Sequence, residues 1–172
     1  MKKLSVFILV MLLFQLSAAA EIKTYVFLVD AKKIEKNIGY IVFKDVKDGL
    51  LITPDLRGLS PGFHGFHIHE NPSCLPGLKD GKAIAALKAG GHFDPNHTGK
   101  HLGPNGMGHL GDLPALYVNS SGDADTPVLA PHLTTKLIQN RSVMIHAGGD
   151  NYQDQPLALG GGGARVACGV IK

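Results

Sequence analysis

The sequence predicts an all-β domain of about eight strands, and three observations support this fold class. Glycine supplies 22 of the 172 residues and proline supplies 10, so tight turns are frequent. Short stretches rich in apolar and β-branched residues alternate with turn residues at the spacing of a β-sandwich. No helical period of convincing length interrupts them. The length and the 44% hydrophobic content fit one globular domain.

The first twenty residues have the pattern of a secretory signal peptide. Lys2 and Lys3 precede nine consecutive apolar residues, and Ala18 and Ala20 fit the small-residue pattern of a cleavage site. A membrane anchor is the alternative, but nine apolar residues are about half of the ~20 that span a bilayer. We therefore expect export, cleavage after Ala20, and a single mature domain over residues 21–172.

The strands are predicted from short apolar runs that end at Asp, Lys or Gly turns. In chain order they are residues 22–29, 38–43, 50–52, 65–70, 115–119, 127–129, 142–147 and 164–171. Residues 83–89 could form a helical turn or two, which Gly90 and Gly91 end. The stretches 71–114 and 147–163 remain as two long loops, and loops of this length are usually functional.

The charge of the chain argues against a nucleic acid partner. The formal net charge is +3, and it falls to +1 when the two leader lysines are removed. Proteins that neutralise a phosphate backbone carry clustered Lys and Arg, and no such stripe is visible. We expect neither a nucleic acid partner nor a membrane association after cleavage.

Two cysteines, Cys74 and Cys168, permit one pairing. In an oxidising compartment they can form a disulfide, whereas in a cytosol they would stay reduced. Export therefore favours a bridge, and two buried thiols are the alternative.

Two histidines share one face of a predicted strand. In Gly65 to Glu70 the period of two places His67 and His69 together, while Phe66 and Ile68 face the core. His146 stands in a similar alternation on a later strand, so three imidazoles could meet across the sheet. Imidazole clusters suit Cu, Zn, Ni or Fe rather than Mg or Ca. Ordinary surface histidines are the alternative.

The loop over residues 91–112 is dense in further metal-ligand residues: His92, His97, His101, His109 and Asp112. It is rich in Gly and poor in apolar anchors, so burial gives it little means of ordering itself. Metal binding could offset the ordering entropy, and three His with one Asp complete a tetrahedral zinc shell. A solvated His-rich loop is the alternative.

These motifs resemble the copper/zinc superoxide dismutases, in their secreted bacterial branch, over most of the mature chain. The matching segments are GFHIHE at 65–70, GGHFDP at 90–95, KHLGP at 100–104, GHLGDLP at 108–114, MIHAGGDN at 144–151 and GGGGARVACGVI at 160–171. The resemblance implies a Greek-key eight-stranded β-sandwich, or flattened barrel, with two long functional loops. It also implies a periplasmic location.

The resemblance implies two metal sites that share one histidine. The copper ligands would be His67, His69, His92 and His146, and the zinc ligands would be His92, His101, His109 and Asp112. The sequence departs by one residue from the eukaryotic spacing between His92 and His101, so His97 competes as a zinc ligand. We favour His101, because it directly precedes a Gly/Pro turn.

Two further residues take roles from the resemblance. Asp150 resembles the carboxylate that accepts hydrogen bonds from one copper imidazole and one zinc imidazole, which fixes ring orientation. Arg165 resembles the guanidinium beside the copper, where an anion finds fixed donors. Arg165 and the shared His92 are the predicted catalytic residues. Lys79 and Lys82 are candidates for steering an anion, with solvated loop charges as the alternative.

The implied activity is dismutation of superoxide by alternating Cu(II)/Cu(I) redox, with zinc in a structural role and with antioxidant defence outside the cytoplasm as its purpose. A periplasmic copper or zinc carrier is the competing hypothesis, since it would also cluster histidines. A structural module stapled by a disulfide is a third. The oligomeric state stays open, with a homodimer among the alternatives.

Overall fold

A computed structural model of the protein describes residues 20–172, so the predicted signal peptide lies outside the described residues except for Ala20. The strands are β1 (Glu21–Val29), β2 (Ile34–Val46), β3 (Gly49–Arg57), β4 (Gly62–His64), β5 (Phe66–His69), β6 (Gly77–Lys79), β7 (Lys82–Ile84), β8 (Leu116–Val118), β9 (Asp123–Ala124), β10 (Val128–Ala130), β11 (Arg141–His146) and β12 (Arg165–Ile171). One helical turn, α1 (Thr135–Ile138), and two 3-10 turns, Leu87–Ala89 and Leu159–Gly161, complete the elements. No helix in this part of the chain has the length and apolar character needed to cross a membrane.

Eight strands form one antiparallel sheet that curls into a flattened half-barrel. Its order is β10-β3-β2-β1-β12-β11-β5, and β9 pairs with β3. The first three strands follow one another as hairpins, and the last strand returns beside β1, which is the Greek-key arrangement. Strands β4 and β8 pair separately, as do β6 and β7. The predicted all-β Greek-key class is confirmed.

The core lies inside the curl of this sheet, because alternate residues of each strand face it. On β3, Leu50, Ile52 and Leu56 are buried while the residues between them, except Pro54, are partly exposed. Phe43 from β2 and Phe66 from β5 join the same cluster. Burying each such side chain contributes about 1.5–3 kcal/mol, so the two faces of every strand are specified strongly.

All eight predicted strands have counterparts, but four short strands and α1 were not predicted. The prediction of helical turns over residues 83–89 was wrong in its first half, because Lys82–Ile84 pairs with Gly77–Lys79 as a hairpin. Asp80 and Gly81 occupy its tip with φ of 52° and 73°, the positive values that a tight hairpin turn requires. Only the 3-10 turn Leu87–Ala89 remains, and Gly90 follows it.

A disulfide joins Cys74 to Cys168, with 5.7 Å between the two Cα atoms. This is the pairing predicted for an exported protein. Cys168 lies on β12, and Cys74 lies in the long loop that follows β5. The bridge packs in a small apolar cluster with Ala86, Ala89 and Met144. It therefore fastens that loop to the middle of the main sheet.

Candidate metal centre

Three histidines reach the centre from two adjacent strands. His67 and His69 lie on β5, and His146 is the last residue of β11, which pairs with β5. Phe66 and Ile68 belong to the core cluster, so the two histidines between and after them face the other way. Strand geometry alone thus brings three imidazoles to one edge of the sheet.

The long loop brings its ligand residues to the same edge through backbone pairing. His92 pairs with His69, and Asp112 pairs with His67, as isolated antiparallel bridges. Phe93 between them donates its N–H to the carbonyl of Ile68 at 2.8 Å and is 5% exposed. The expectation that burial gives the loop little means of ordering itself was therefore wrong at this point, because Phe93 ties it to the core.

The side chains form two overlapping groups whose ligand atoms lie within 4.8 Å of one another. The first contains His67, His69, His92 and His146, and the second contains His67, His92, His101 and Asp112. His109 borders the second group, with its Nδ1 3.4 Å from Oδ1 of Asp112.

Six imidazole nitrogens in and beside these groups are buried and form no hydrogen bond of good geometry, although Nδ1 of His101 and Nδ1 of His109 lie 3.0 and 3.4 Å from oxygens of Asp112. They are Nδ1 of His67, Nε2 of His69, Nε2 of His92, Nδ1 of His101, Nδ1 of His109 and Nε2 of His146. An unsatisfied buried polar group costs about 1–3 kcal/mol, so six together would be a large unexplained penalty. Nitrogen lone pairs that converge in this way are what Cu and Zn bind, so the residues fit these metals.

Backbone carbonyls select which nitrogen of two imidazoles stays free. Nδ1 of His69 donates to the carbonyl of Gly90 at 3.0 Å, and Nδ1 of His146 donates to that of Gly163 at 3.1 Å. Each ring therefore carries its proton on Nδ1 and presents a lone pair at Nε2. The free Nε2 atoms are those that point into the first group.

Burial keeps the imidazoles of the first group neutral. It lowers the pKa of His67 to about 3, with the neighbouring His92 as the next cause, although the carboxylate of Asp150 opposes the shift. It lowers the pKa of His146 to about 4 and that of His69 well below its ordinary value. Neutral imidazoles can bind a metal without first losing a proton.

The second group has the opposite balance, because two carboxylates face it. Burial alone would lower the pKa of His101, but the carboxylates of Asp112 and Asp150, which lie 3.0 and 2.7 Å from its two ring nitrogens, outweigh burial and raise that pKa to about 9. The same contacts hold the pKa of both carboxyl groups well below the usual range, against the effect of burial. Two permanent negative charges therefore favour a cation at this end of the centre.

The structure separates the two histidines that compete for one ligand position. His101 is fully buried and belongs to the second group, whereas His97 is exposed and lies outside both groups. His97 has φ of 52° in a turn whose N–H bonds to the carbonyl of Asp94. The geometry thus favours His101 as the metal-facing residue.

Asp150 joins the two groups through their outer nitrogens. Its Oδ2 accepts from Nε2 of His67 and its Oδ1 accepts from Nε2 of His101, both at 2.7 Å. His64 contacts the carbonyls of His146 and Ser60 through its two ring nitrogens.

Arg165 lies beside the first group and is held by two carbonyl oxygens. Its guanidinium donates to Ala86 and to Gly90, each at 2.6 Å. The carbonyl of Gly90 also accepts from His69, so one oxygen fixes both side chains. The positive charge of Arg165 contributes to the lowered pKa of His69 and of His146, so its electric field acts on the first group.

The remaining candidates lie farther from the chemistry. Lys79 and Lys82 are exposed at the end of the β6–β7 hairpin, and within residues 20–172 neither side chain forms a hydrogen bond or an ion pair with the centre. Sequence reasoning missed Asp154, which accepts a hydrogen bond from the backbone N–H of His101 at 3.0 Å. An aspartate in a polar loop gives no sequence signal for such a contact, because its partner is a main-chain group 53 residues away.

The sequence profile described as copper/zinc superoxide dismutase (SODC) matches residues 37–171. The chain belongs to this family. It is 53% identical over 173 residues to superoxide dismutase [Cu-Zn] 2 of Salmonella typhimurium, with all of both chains covered. The solved structure of the Cu/Zn superoxide dismutase from Brucella abortus covers 89% of this chain and 100% of its own at 49% identity and a TM-score of 0.88.

A second solved relative is the monomeric copper, zinc superoxide dismutase from Salmonella enterica. It is 55% identical, has a TM-score of 0.81, and covers 89% of this chain and 100% of its own. Membership identifies copper and zinc as the metals for which the histidine and aspartate groups are arranged.

Proposed function

We propose that the protein converts two superoxide anions and two protons into dioxygen and hydrogen peroxide in the periplasm. The observation that carries this proposal is the orientation of His92, which belongs to both groups. Its Nδ1 faces Oδ1 of Asp112 at 2.9 Å, while its Nε2 belongs to the histidine-only group and has no partner. One imidazole can therefore serve both metals.

The copper site would be formed by Nδ1 of His67 and by Nε2 of His69, His92 and His146. Copper, when bound, supplies the one-electron exchange that oxidises one superoxide to dioxygen and reduces the next to peroxide. His67 and His69 are 0% and 1% exposed, whereas His92 and His146 are 5% and 7% exposed. Substrate would therefore enter beside His92 and His146.

The zinc site would be formed by His92, His101, His109 and Asp112. His67 contributes to both geometric groups, but its Nε2 is committed to Asp150, which leaves one lone pair, at Nδ1. Since that lone pair belongs with the copper ligands, Nδ1 of His109 completes the zinc set. Three imidazoles and one carboxylate form a closed tetrahedral shell, which suits a structural zinc that takes no part in redox.

His92 and Arg165 would be the two catalytic residues. His92 would carry a proton at Nε2 only while that atom is not bound to copper, and this proton can pass to the reduced substrate. Arg165 presents a charge that cannot be lost, and its two carbonyl acceptors keep the guanidinium beside the copper ligands. A small anion would be drawn to this field, as the general rule for electrostatic steering requires.

The test is metal analysis of the purified protein with superoxide dismutation measured before and after chelation. We expect about one copper and one zinc per chain, loss of activity on copper removal, and recovery when copper is returned. A carrier would bind and release copper but would not turn over superoxide in any metal state. Metal-loaded protein without dismutation would therefore contradict the proposed function.

Location and assembly need their own measurements. Fractionation of cells that express the full chain should find the processed domain in the periplasm, beginning at Glu21. A homodimer stays a prediction, which sedimentation velocity of the metal-loaded protein would decide.

A further inference from the structure

Two loops that carry the zinc-side residues are fastened together away from the metal. The loop that follows β11 supplies Asp154, whose Oδ2 accepts from the backbone N–H of His101 at 3.0 Å. Its Oδ1 accepts from the backbone N–H of Leu159 at 3.5 Å, so the carboxylate also orders its own loop. Neither oxygen belongs to the metal-facing groups.

Tyr152 forms a second attachment between the same loops. Its hydroxyl accepts from the backbone N–H of Ala115 at 2.9 Å, just after the end of the loop over residues 91–112, here called the zinc loop. Its ring lies directly on Gly103, where an added Cβ would be 2.8 Å from Cβ and Cγ of the tyrosine. Gly103 has φ of 71°, so both its backbone conformation and its contact with the ring favour glycine.

The zinc loop needs such attachments, because its own residues order it weakly. Between Asp94 and Asp112 the described chain forms no helix or strand, and four glycines lie within residues 99–108. Glycine loses more conformational freedom on ordering than any other residue. Within the loop, the carbonyl of Lys100 accepts from the N–H of His109, and Asp112 faces Nδ1 of His101 at 3.0 Å. The partners of Nε2 and of the backbone N–H of His101 come from outside the loop.

His101 is therefore held at two points by one partner loop. Asp150 fixes its ring through Nε2, and Asp154 fixes its backbone through the N–H. A ligand whose ring and main chain are both held loses little freedom when it binds a metal, which is how positioning groups raise metal affinity.

We propose that Asp154 and Tyr152 form a clasp that positions His101 and thereby sets the affinity of the zinc site. This inference rests on the proposed zinc ligands. Asp154 is a positioning residue rather than a ligand. Its negative charge strengthens the attachment of the His101 backbone, because a hydrogen bond to a carboxylate is roughly twice as strong as one between neutral groups.

The experiment compares Asp154→Ala and Asp154→Asn with Asp125→Ala, a control at an exposed aspartate that lies in neither loop. Zinc alone is titrated into the metal-free protein against a chromophoric chelator. We expect Asp154→Ala to weaken zinc binding by about tenfold, the lower end of the range for outer partners of metal ligands. Asp154→Asn keeps an acceptor without its charge, so about a threefold loss is expected if the bond is halved in strength.

The absorption spectrum of cobalt(II) bound in place of zinc gives a second readout, because it reports ligand geometry. We expect the ligand-field bands to shift in Asp154→Ala and to return toward the parent position in Asp154→Asn. Parent-like affinity and bands in Asp154→Asn together with Asp154→Ala would overturn the clasp. If Asp154→Ala does not fold, an Asp154→Asn protein that matches Asp125→Ala in affinity overturns it as well. Failure of the parent itself to bind zinc would instead overturn the proposed zinc site.

Discussion

The disulfide should contribute a large share of the stability of the metal-free protein. The perturbation is the double substitution Cys74→Ala and Cys168→Ala, which removes the bridge without leaving a free thiol. Both positions are buried, at 5% and 0% exposure, and alanine places no unpaired polar group there. The sequence separation of 94 residues is the quantity that sets the effect.

The chain-entropy relation for a loop of this length gives about 4.7 kcal/mol at 25 °C. Much of this free energy comes from the unfolded chain, which loses conformations when two distant residues are joined. A loss of this size should lower the midpoint of guanidinium unfolding by about 1 M for a domain of this size. The loop between β5 and the zinc loop should also loosen, because Cys74 packs against Ala86 and Ala89.

The assay is guanidinium unfolding of the metal-free parent and the metal-free variant, monitored by circular dichroism with and without a reductant. Metal-free protein is needed because bound metals add their own stabilisation. Reductant should shift the parent toward the variant and leave the variant unchanged. A variant within about 1 kcal/mol of the oxidised parent would refute the loop-closure reasoning, since this is far below the entropic value.

Three further predictions follow from the centre. Arg165→Glu should keep its copper but lose dismutation by about tenfold or more, and salt should slow the parent more than the variant; unchanged activity would contradict steering. Metal-free protein should lose stability as the pH falls from 6.5 to 4, because the pKa values of His67 and His146 in the folded protein are about 3 and 4 and the unfolded chain therefore binds more protons. The loss of unfolding free energy reaches about 3 kcal/mol for His146. A free energy of urea unfolding that stays constant across this pH range would contradict the prediction. Gly160→Ala should weaken zinc binding in a chelator titration, because the added Cβ would collide with Asp150 at a position with φ of 71°; unchanged affinity would show that the carboxylate can move freely.

The sequence predicted best those features that depend on strand periodicity. The faces of β5 follow from alternation alone, since His67 and His69 cannot share a face with Phe66. The hairpin at Asp80 was missed because an alanine-rich run next to it resembles a helix, and its Asp-Gly turn was the stronger signal. The short strands β4 and β9 form only because their partners exist, so local sequence carries little information about them.

The centre was predictable to the extent that its residues carry motifs. The histidine segments carry such motifs. The disulfide follows from the oxidising compartment expected for an exported protein and from the presence of only two cysteines in the sequence. The contacts of Arg165 could not be predicted, because both acceptors are backbone carbonyls of a loop 75 and 79 residues away in sequence. Asp154 was missed for the same reason. Main-chain partners leave no trace in residue type, so only the folded arrangement reveals them.

The central claim is that His92 is shared between one copper and one zinc. The most direct measurement is the electron paramagnetic resonance spectrum of the copper(II) protein, first with zinc and then with cobalt(II) in the zinc site. Because a single imidazole would join the two metals, we expect the copper signal of the zinc form to be lost or strongly broadened when cobalt is present. A copper spectrum that is the same in fully loaded zinc and cobalt forms would show that the two sites do not share His92.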